Sequence, residues 1–262
     1  MRTFLLFGHE IAYTASPAIQ GAAIRELGLP HRYEVVDTTP EEFPGLAQQM
    51  RGMHGGANVT IPFKEAAFQL VDELSADAEE MRSVNTIVVE GDRLIGHNTD
   101  LPAIEDEFRA LVPGGADRAV VLGAGGASRA VQTALARQGT EVTVAQRRDG
   151  SLARIAELLR GADVLVNCTP VGTGGGELPV DPALLREDLT VFDLIYRPTP
   201  TALVRAARSV GARARSGGPM LVGQAWRSLA HWLAADGITV GPEVAPPMLE
   251  ALRLELGGTD DD

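Results

Sequence analysis

Lys64 is the only lysine among 23 basic residues, the other 22 being arginine. A GC-rich genome explains the general loss of lysine, and it makes the one that survives more telling. Arginine cannot release its proton inside a protein, whereas lysine can once its surroundings lower its pKa. Lys64 is therefore a candidate for proton chemistry. Its neighbours in the chain are equally unusual. Asn58 and Thr60 precede it, Asn85 and Thr86 follow, and Asn98, Thr99 and Asp100 close the group, so three of the four asparagines lie in one stretch. Thr14 and Ser16 add two hydroxyls upstream. A single Asn or Thr is ordinarily a turn or cap residue, but so many together around one lysine and one aspartate suit a neutral polyol that carries a carboxylate.

A second constellation binds rather than reacts. Gly123-Ala124-Gly125-Gly126-Ala127-Ser128-Arg129 follows the apolar run Ala119-Val120-Val121-Leu122 and opens a helical pattern. Glycines in a strand–turn–helix frame let the backbone approach a pyrophosphate, which then sits on the N–H groups at the helix start. An NAD-binding chain places Asp or Glu about 20 residues after the first glycine, to hold the ribose 2′-hydroxyl. Here that position reads Gln146-Arg147-Arg148, with Asp149 only afterwards. Two guanidinium groups suit a 2′-phosphate, so the expected cofactor is NADP.

Other residues carry less. Cys168 is the sole cysteine, which excludes a disulfide framework and a cysteine-rich zinc site; it reads as a small buried hydrophobe. His9, His31, His54, His97 and His231 have no metal-ligand spacing, so no metal is expected. Trp226 and Trp232 read as core residues of one helix, and the acidic stretch 72–80 as a solvated helix face. The net charge of −12 argues against nucleic acid as a partner. No run of about 18 apolar residues exists and the N-terminal apolar run is too short for a signal peptide. The expectation is a cytoplasmic protein with no membrane partner, a small-molecule substrate, and a monomeric or homodimeric state.

These residues need elements to hold them. The 262 residues have length for two domains. Residues 3–7, 33–37 and 58–61 read as strands, and residues 84–90 and 93–96 as a hairpin around Gly91-Asp92. Ser16-Pro17 reads as an N-cap followed by Pro at the first helical position, opening a helix to 27; Thr39 with Glu42 reads as a capping box. Gly55-Gly56 reads as a break, and Pro62 as the start of the helix bearing Lys64. Beyond a helix at 101–111, strands at 119–122, 141–145, 164–167, 191–195 and 212–215 alternate with helices at 127–137, 152–160 and 200–210. That alternation predicts a doubly wound, Rossmann-type parallel sheet. Helices at 220–235 and 246–256 end the chain before a polar, frayed tail at 258–262. The fold class is thus α/β with two domains: residues 1–101, completed by 238–262, for substrate, and 102–237 for NADP.

The motifs Asn58-Val59-Thr60-Ile61-Pro62-Phe63-Lys64, Val84-Asn85-Thr86, Asn98-Thr99-Asp100, the glycine turn, Asn167-Cys168-Thr169-Pro170 and Met220-Leu221-Val222-Gly223-Gln224-Ala225 occur in that order. Over essentially the whole chain this resembles the shikimate dehydrogenase family, which reduces 3-dehydroshikimate to shikimate with NADPH in aromatic amino acid (chorismate) biosynthesis. The resemblance implies Lys64 and Asp100 as the catalytic pair. It implies Thr14, Ser16, Asn58, Thr60, Asn85, Tyr196 and Gln224 at the substrate. At the cofactor it implies Gly123, Ala124, Gly125, Gly126, Ala127, Gln146, Arg147, Arg148, Thr169, Leu194, Gly217 and Met220, in a cleft whose closure would exclude water. The chain departs from the family pattern at Tyr13 (commonly His), Thr14 (Ser), Leu101 (Gly), Thr173 (Met) and Pro219 (Gly). The extra methyl of Thr14 keeps open a relative acting on quinate or an aminoshikimate. A non-catalytic NADP-binding regulatory module is the alternative of another class, but it has no need of Lys64 and Asp100.

Overall fold

The computed structural model describes residues 1–53 and 55–257. The expected frayed tail at 258–262, and His54, lie outside the described residues. Two compact units emerge, and the mixed α/β class expected from the pattern is what the structure has.

One unit holds Met1–Asp100 and Val222–Glu255. It runs through β1 (Thr3–Gly8), α1 (Ser16–Glu26), β2 (Arg32–Asp37), α2 (Phe43–Gln48), β3 (Gly56–Val59), α3 (Lys64–Leu70), β4 (Glu73–Leu74), α4 (Ala76–Met81), β5 (Thr86–Glu90) and β6 (Arg93–His97). These strands form one mixed sheet in the order β2-β1-β3-β5-β6-β4. β1 lies parallel to β2 and β3, while β5 is antiparallel to both β3 and β6. The register pairs Asn58 with Thr86, and Thr86 with His97. Polar residues far apart in the chain therefore meet at one end of one sheet. Behind them Phe7, Phe43, Phe63, Ile87 and Leu94 form an apolar core, with the Phe43 and Phe63 rings stacked at 4.6 Å.

The other unit holds Leu101–Leu221. It contains α5 (Asp100–Leu111, from its second residue), β7 (Arg118–Leu122), α6 (Gly126–Arg137), β8 (Glu141–Ala145), α7 (Ile155–Leu159), β9 (Val164–Asn167), β10 (Thr190–Asp193), α8 (Ala202–Ser209) and β11 (Ala214–Ser216). All five strands are parallel, in the order β11-β10-β9-β7-β8. β7 and β9 are nearly wholly buried, as central parallel strands covered on both faces should be. The chain winds from β7 out to β8, then returns past β7 to β9, β10 and β11. The reversal lies between β7 and β9, and in open α/β sheets that is where a ligand crevice opens beyond the strand ends.

The chain ends in α9 (Gly218–Ala234) and α10 (Ala245–Leu256). Val222, Ala225, Leu229 and Trp232 are buried at helical spacing along α9. The first unit resumes at Val222, inside α9 and ahead of the expected 238. The reason is local: Trp232 Nε1 donates to the Ile87 carbonyl at 3.0 Å, and the Trp232 ring stacks on Phe4 at 4.6 Å.

Some local expectations change. Ser16 is not the N-cap of α1; that position is Ala15, and the Ser16 N–H instead reaches Thr14 Oγ1 at 3.3 Å. The acidic stretch 72–80 is not one helix face, since it holds β4 and then α4, capped by Ser75. Gly56 is a strand residue and not a break. Trp226 is only half-buried, with the Arg227 guanidinium 4.2 Å over its ring.

Candidate active site

Lys64 and Asp100 are each the first residue of a helix, α3 and α5. Their side chains meet: Lys64 Nζ donates to Asp100 Oδ2 at 2.7 Å. The side chains are 29% and 16% exposed. The pair is thus open enough for a ligand and sheltered enough for its charges to act on one. The Lys64 carbonyl accepts the Val84 N–H at 3.0 Å, which ties the start of α3 to the Val84-Asn85-Thr86 segment.

Beside this pair lies a buried polar network. Asn85 Oδ1 accepts the Thr99 N–H at 2.8 Å, and Asn85 Nδ2 donates to Thr99 Oγ1 at 2.9 Å. Asn85 thereby fixes the backbone immediately before Asp100. Asn58 Nδ2 donates to the Asn85 carbonyl at 3.1 Å and to Ser228 Oγ of α9 at 2.8 Å, while its Oδ1 accepts from the Tyr33 hydroxyl at 2.9 Å. Thr86 Oγ1 is 2.8 Å from the same Ser228 hydroxyl. Ser228 in turn donates to the Gln224 carbonyl at 3.0 Å. The network therefore couples the sheet end to the turn of α9 that carries Gln224. Asn98, expected in this group, is anchored by its Nδ2 to the Ser83 carbonyl at 2.9 Å.

Thr14 and Ser16 form a hydroxyl pair at the start of α1, with Thr14 Oγ1 donating to Ser16 Oγ at 3.1 Å. Burial pushes the Tyr33 phenol far up, and the Ser16 hydroxyl acts in the opposite sense. Tyr33 thus links the Thr14–Ser16 pair to Asn58. Thr60 follows β3, its N–H bonded to the Phe7 carbonyl at 2.9 Å; a side chain at Gly8 would collide with its methyl.

In the second unit the glycine turn stands at the end of β7. Gly123 has φ +94°, a conformation that favours glycine, and a Cβ there would press on Thr169 Cγ2 at 3.0 Å. Thr169 and Gly123 are therefore neighbours across the β7/β9 reversal. Ser128 Oγ donates to the Gly123 carbonyl at 2.7 Å and holds the turn against α6. Residues 124–127 are exposed, and nothing lies within 4 Å of where a Gly125 Cβ would be. α6 begins at Gly126 with no side-chain cap, so its first N–H groups face outward, as an incoming pyrophosphate requires. After β8, Arg147 and Arg148 are exposed and form no ion pair with the described residues. Asp149 is turned back on its own loop: Gln146 Nε2 donates to one carboxylate oxygen at 2.9 Å and the Ser151 N–H to the other at 2.9 Å. The hydrogen bonds from Ser151 hold its carboxyl below the usual range. Glycine turn, open helix start and two unpaired guanidinium groups fit a phosphorylated dinucleotide.

Leu194 and Gly217 also meet. A Cβ on Gly217 would fall 2.2 Å from the Leu194 carbonyl oxygen, so only glycine fits. Met220 follows in the first turn of α9, and Tyr196 lies half-buried in the loop after β10. Cys168 directly precedes Thr169, and its thiol is pushed up by burial and by the charge of Asp193, which leaves it inert. Among the described residues no cluster of His, Cys, Asp or Glu is arranged to hold a metal ion, and no helix is long and apolar enough to cross a membrane. Sequence reasoning missed Tyr33 and Ser228, whose hydroxyls hold Asn58. Only Ser228 left a trace, lying one helical turn after Gln224.

Known proteins are similar to this chain in sequence and fold. The model for the shikimate dehydrogenase substrate binding domain matches residues 6–87. A shikimate dehydrogenase (NADP(+)) of Methylocella silvestris is 37% identical over 97% of this chain and 96% of its own. One of Mesorhizobium japonicum is 40% identical over 95% of both. The crystal structure of shikimate 5-dehydrogenase from Thermus thermophilus in complex with NADP(H) and shikimate superposes with a TM-score of 0.85 at 36% identity, covering 98% of this chain and all of the other.

Proposed function

The chain belongs to the shikimate dehydrogenase family, and on that premise we propose that it catalyses the reversible, NADP-dependent reduction of 3-dehydroshikimate to shikimate. The observation that carries this reading is the 2.7 Å Lys64–Asp100 contact beside a buried amide and hydroxyl network. A single cysteine, with no disulfide framework, suits a reducing compartment, and we place the reaction in the cytoplasm.

The proposed mechanism follows from what each residue can do. Bound NADPH supplies a hydride to the ring ketone carbon. The ketone oxygen then needs one proton, and the Lys64 ammonium donates it; Lys64 is left as an amine and regains a proton from solvent. In the reverse direction the amine takes the hydroxyl proton. Asp100 accepts from Lys64 Nζ and thereby aims it, and its second oxygen is available to a substrate hydroxyl. In this reading the Ser16 hydroxyl, and the Thr14 hydroxyl on turning away from Ser16, would donate to the substrate carboxylate. Asn85 has one amide hydrogen beyond its bond to Thr99 and offers it to a ring hydroxyl, together with Thr60, Gln224 and Tyr196. Asn58 plays a different part: its amide is taken up by Tyr33, Asn85, Thr86 and Ser228, so it holds Asn85 and Thr86 in place behind the site. Gly123 to Ala127 and Thr169 would hold the pyrophosphate side of the cofactor, Gln146, Arg147 and Arg148 the 2′-phosphate, and Leu194, Gly217 and Met220 the nicotinamide.

The test is a spectrophotometric assay pairing shikimate and quinate with NADP and NAD. Rapid NADP reduction with shikimate is expected. Lys64→Ala should lower kcat by about 10²- to 10⁴-fold, the usual worth of a positioned acid–base group, with NADPH binding retained. Faster turnover of quinate would move the substrate, and an inactive wild type that still binds NADPH would leave only a binding module.

A further inference from the structure

Asp193 ends β10 and is 1% exposed, yet no cation pairs with it among the described residues. An unpaired buried carboxylate is costly unless donors are aimed at it. Three are. Oδ1 accepts from Asn167 Nδ2 at 2.9 Å and from the Ile195 N–H at 3.2 Å, and Oδ2 accepts from Thr201 Oγ1 at 2.7 Å. Ile195 and Thr201 stand at opposite ends of the loop that carries Tyr196, so one carboxylate clamps both. Its partner Asn167 lies beside it in register on β9. Asn167 Oδ1 accepts from the Thr169 N–H at 3.1 Å and from Thr169 Oγ1 at 2.7 Å, and its backbone carbonyl accepts the Leu194 N–H at 3.0 Å. The Gly217 N–H closes the same loop onto the Ile195 carbonyl at 3.0 Å.

We infer that Asp193, through Asn167 and Thr201, is a positioning residue that holds the Thr169 turn and the Leu194–Tyr196 loop in the geometry the cofactor and substrate require. The inference rests on the functional reading above, which gives Thr169, Leu194 and Tyr196 their roles. Asp193 is buried behind these loops and acts through them. Misplacing a positioning group by about 1 Å can cost about 10²-fold in rate, which sets the scale of the effect.

The experiment measures the NADPH dissociation constant by fluorescence titration, and kcat and KM for shikimate, at a temperature where circular dichroism shows each variant folded. Asp193→Ala should weaken NADPH binding and lower kcat/KM by about tenfold to a hundredfold. Asp193→Asn keeps the size and the Oδ1 acceptor and should recover most of the loss. Thr201→Val frees one end of the loop and also removes the α8 N-cap bond from the Val204 N–H; in the folded variant it should raise KM for shikimate while sparing NADPH affinity. If Asp193→Ala does not fold, the other two variants carry the same test. Folded variants with wild-type NADPH affinity, KM and kcat, and only a lower melting temperature, would overturn the inference. Wild-type protein that binds NADPH but does not turn over shikimate sinks the functional reading alone, because the titration still reads the Thr169 and Leu194 side of the clamp. Wild-type protein that binds no NADPH overturns both.

Discussion

Arg147 and Arg148 show how much one pair of side chains decides. Both are exposed and free of ion pairs with the described residues, so neither contributes much to stability and both have donors to give. The neighbouring carboxylate that would repel a phosphate, Asp149, is bound on both oxygens by Gln146 and Ser151. A charge-assisted hydrogen bond is worth about 1.5–3 kcal/mol, or tenfold and more in affinity. The Arg147→Ala/Arg148→Ala double variant should therefore raise KM for NADP by at least about tenfold, leave KM for NAD nearly unchanged, and keep the melting temperature. Steady-state titration of both cofactors checks it; equal losses for the two would place the arginines away from the 2′-phosphate.

Elements show which features were legible in advance and which were not. Lys64, Asp100 and the glycine turn could be read because rare residue types at strand ends and a strand–turn–helix frame are properties of short segments. Most element boundaries fell within a few residues of expectation for the same reason. The contacts of Ser228 and Tyr33 with Asn58 could not be read: they span 170 and 25 residues of sequence, and only the packing of α9 and the sheet register make them. The Asp193 clamp was hidden likewise, since a strand-end aspartate looks the same in sequence whether it meets solvent or three buried donors. Gly56 was misread as a break because the residue it makes room for, Trp232, lies at the far end of the chain. A Cβ on Gly56 would fall 2.2 Å from two atoms of the Trp232 ring. Overpacking of this kind costs about 1–3 kcal/mol, so Gly56→Ala should lower the melting temperature by several degrees, with Trp232 fluorescence shifted in the native state. An unchanged melt would mean that β3 and α9 part without cost.

The whole molecule carries a net charge of −12, but the carboxylates held low by surface hydrogen bonds, Glu42 and Asp149 among them, are exposed and little affect its stability. The sharper pH dependence comes from a pair that the scattered histidines of the sequence did not announce. The rings of His97, at the end of β6, and His231, on α9, stack with centroids 3.9 Å apart. Burial holds both below the usual histidine value, His97 at about 4, with His231 adding to the effect on His97. The sign follows from proton counting. Between about pH 4 and 6.5 the unfolded chain binds a proton at residue 97 that the folded chain does not. Stability is therefore full above pH 6.5, falls as the pH drops through that window, and levels off below it. At pH 5 the His97 contribution to the loss is about 2 kcal/mol. His97→Phe keeps a ring against His231 and removes the proton. Thermal melts at pH 7 and pH 5 should show the wild type losing roughly 4–8 °C more than the variant. Equal losses in the two proteins would mean that the pair opens to solvent before it titrates, and that the contact between β6 and α9 does not limit the stability of the fold in acid.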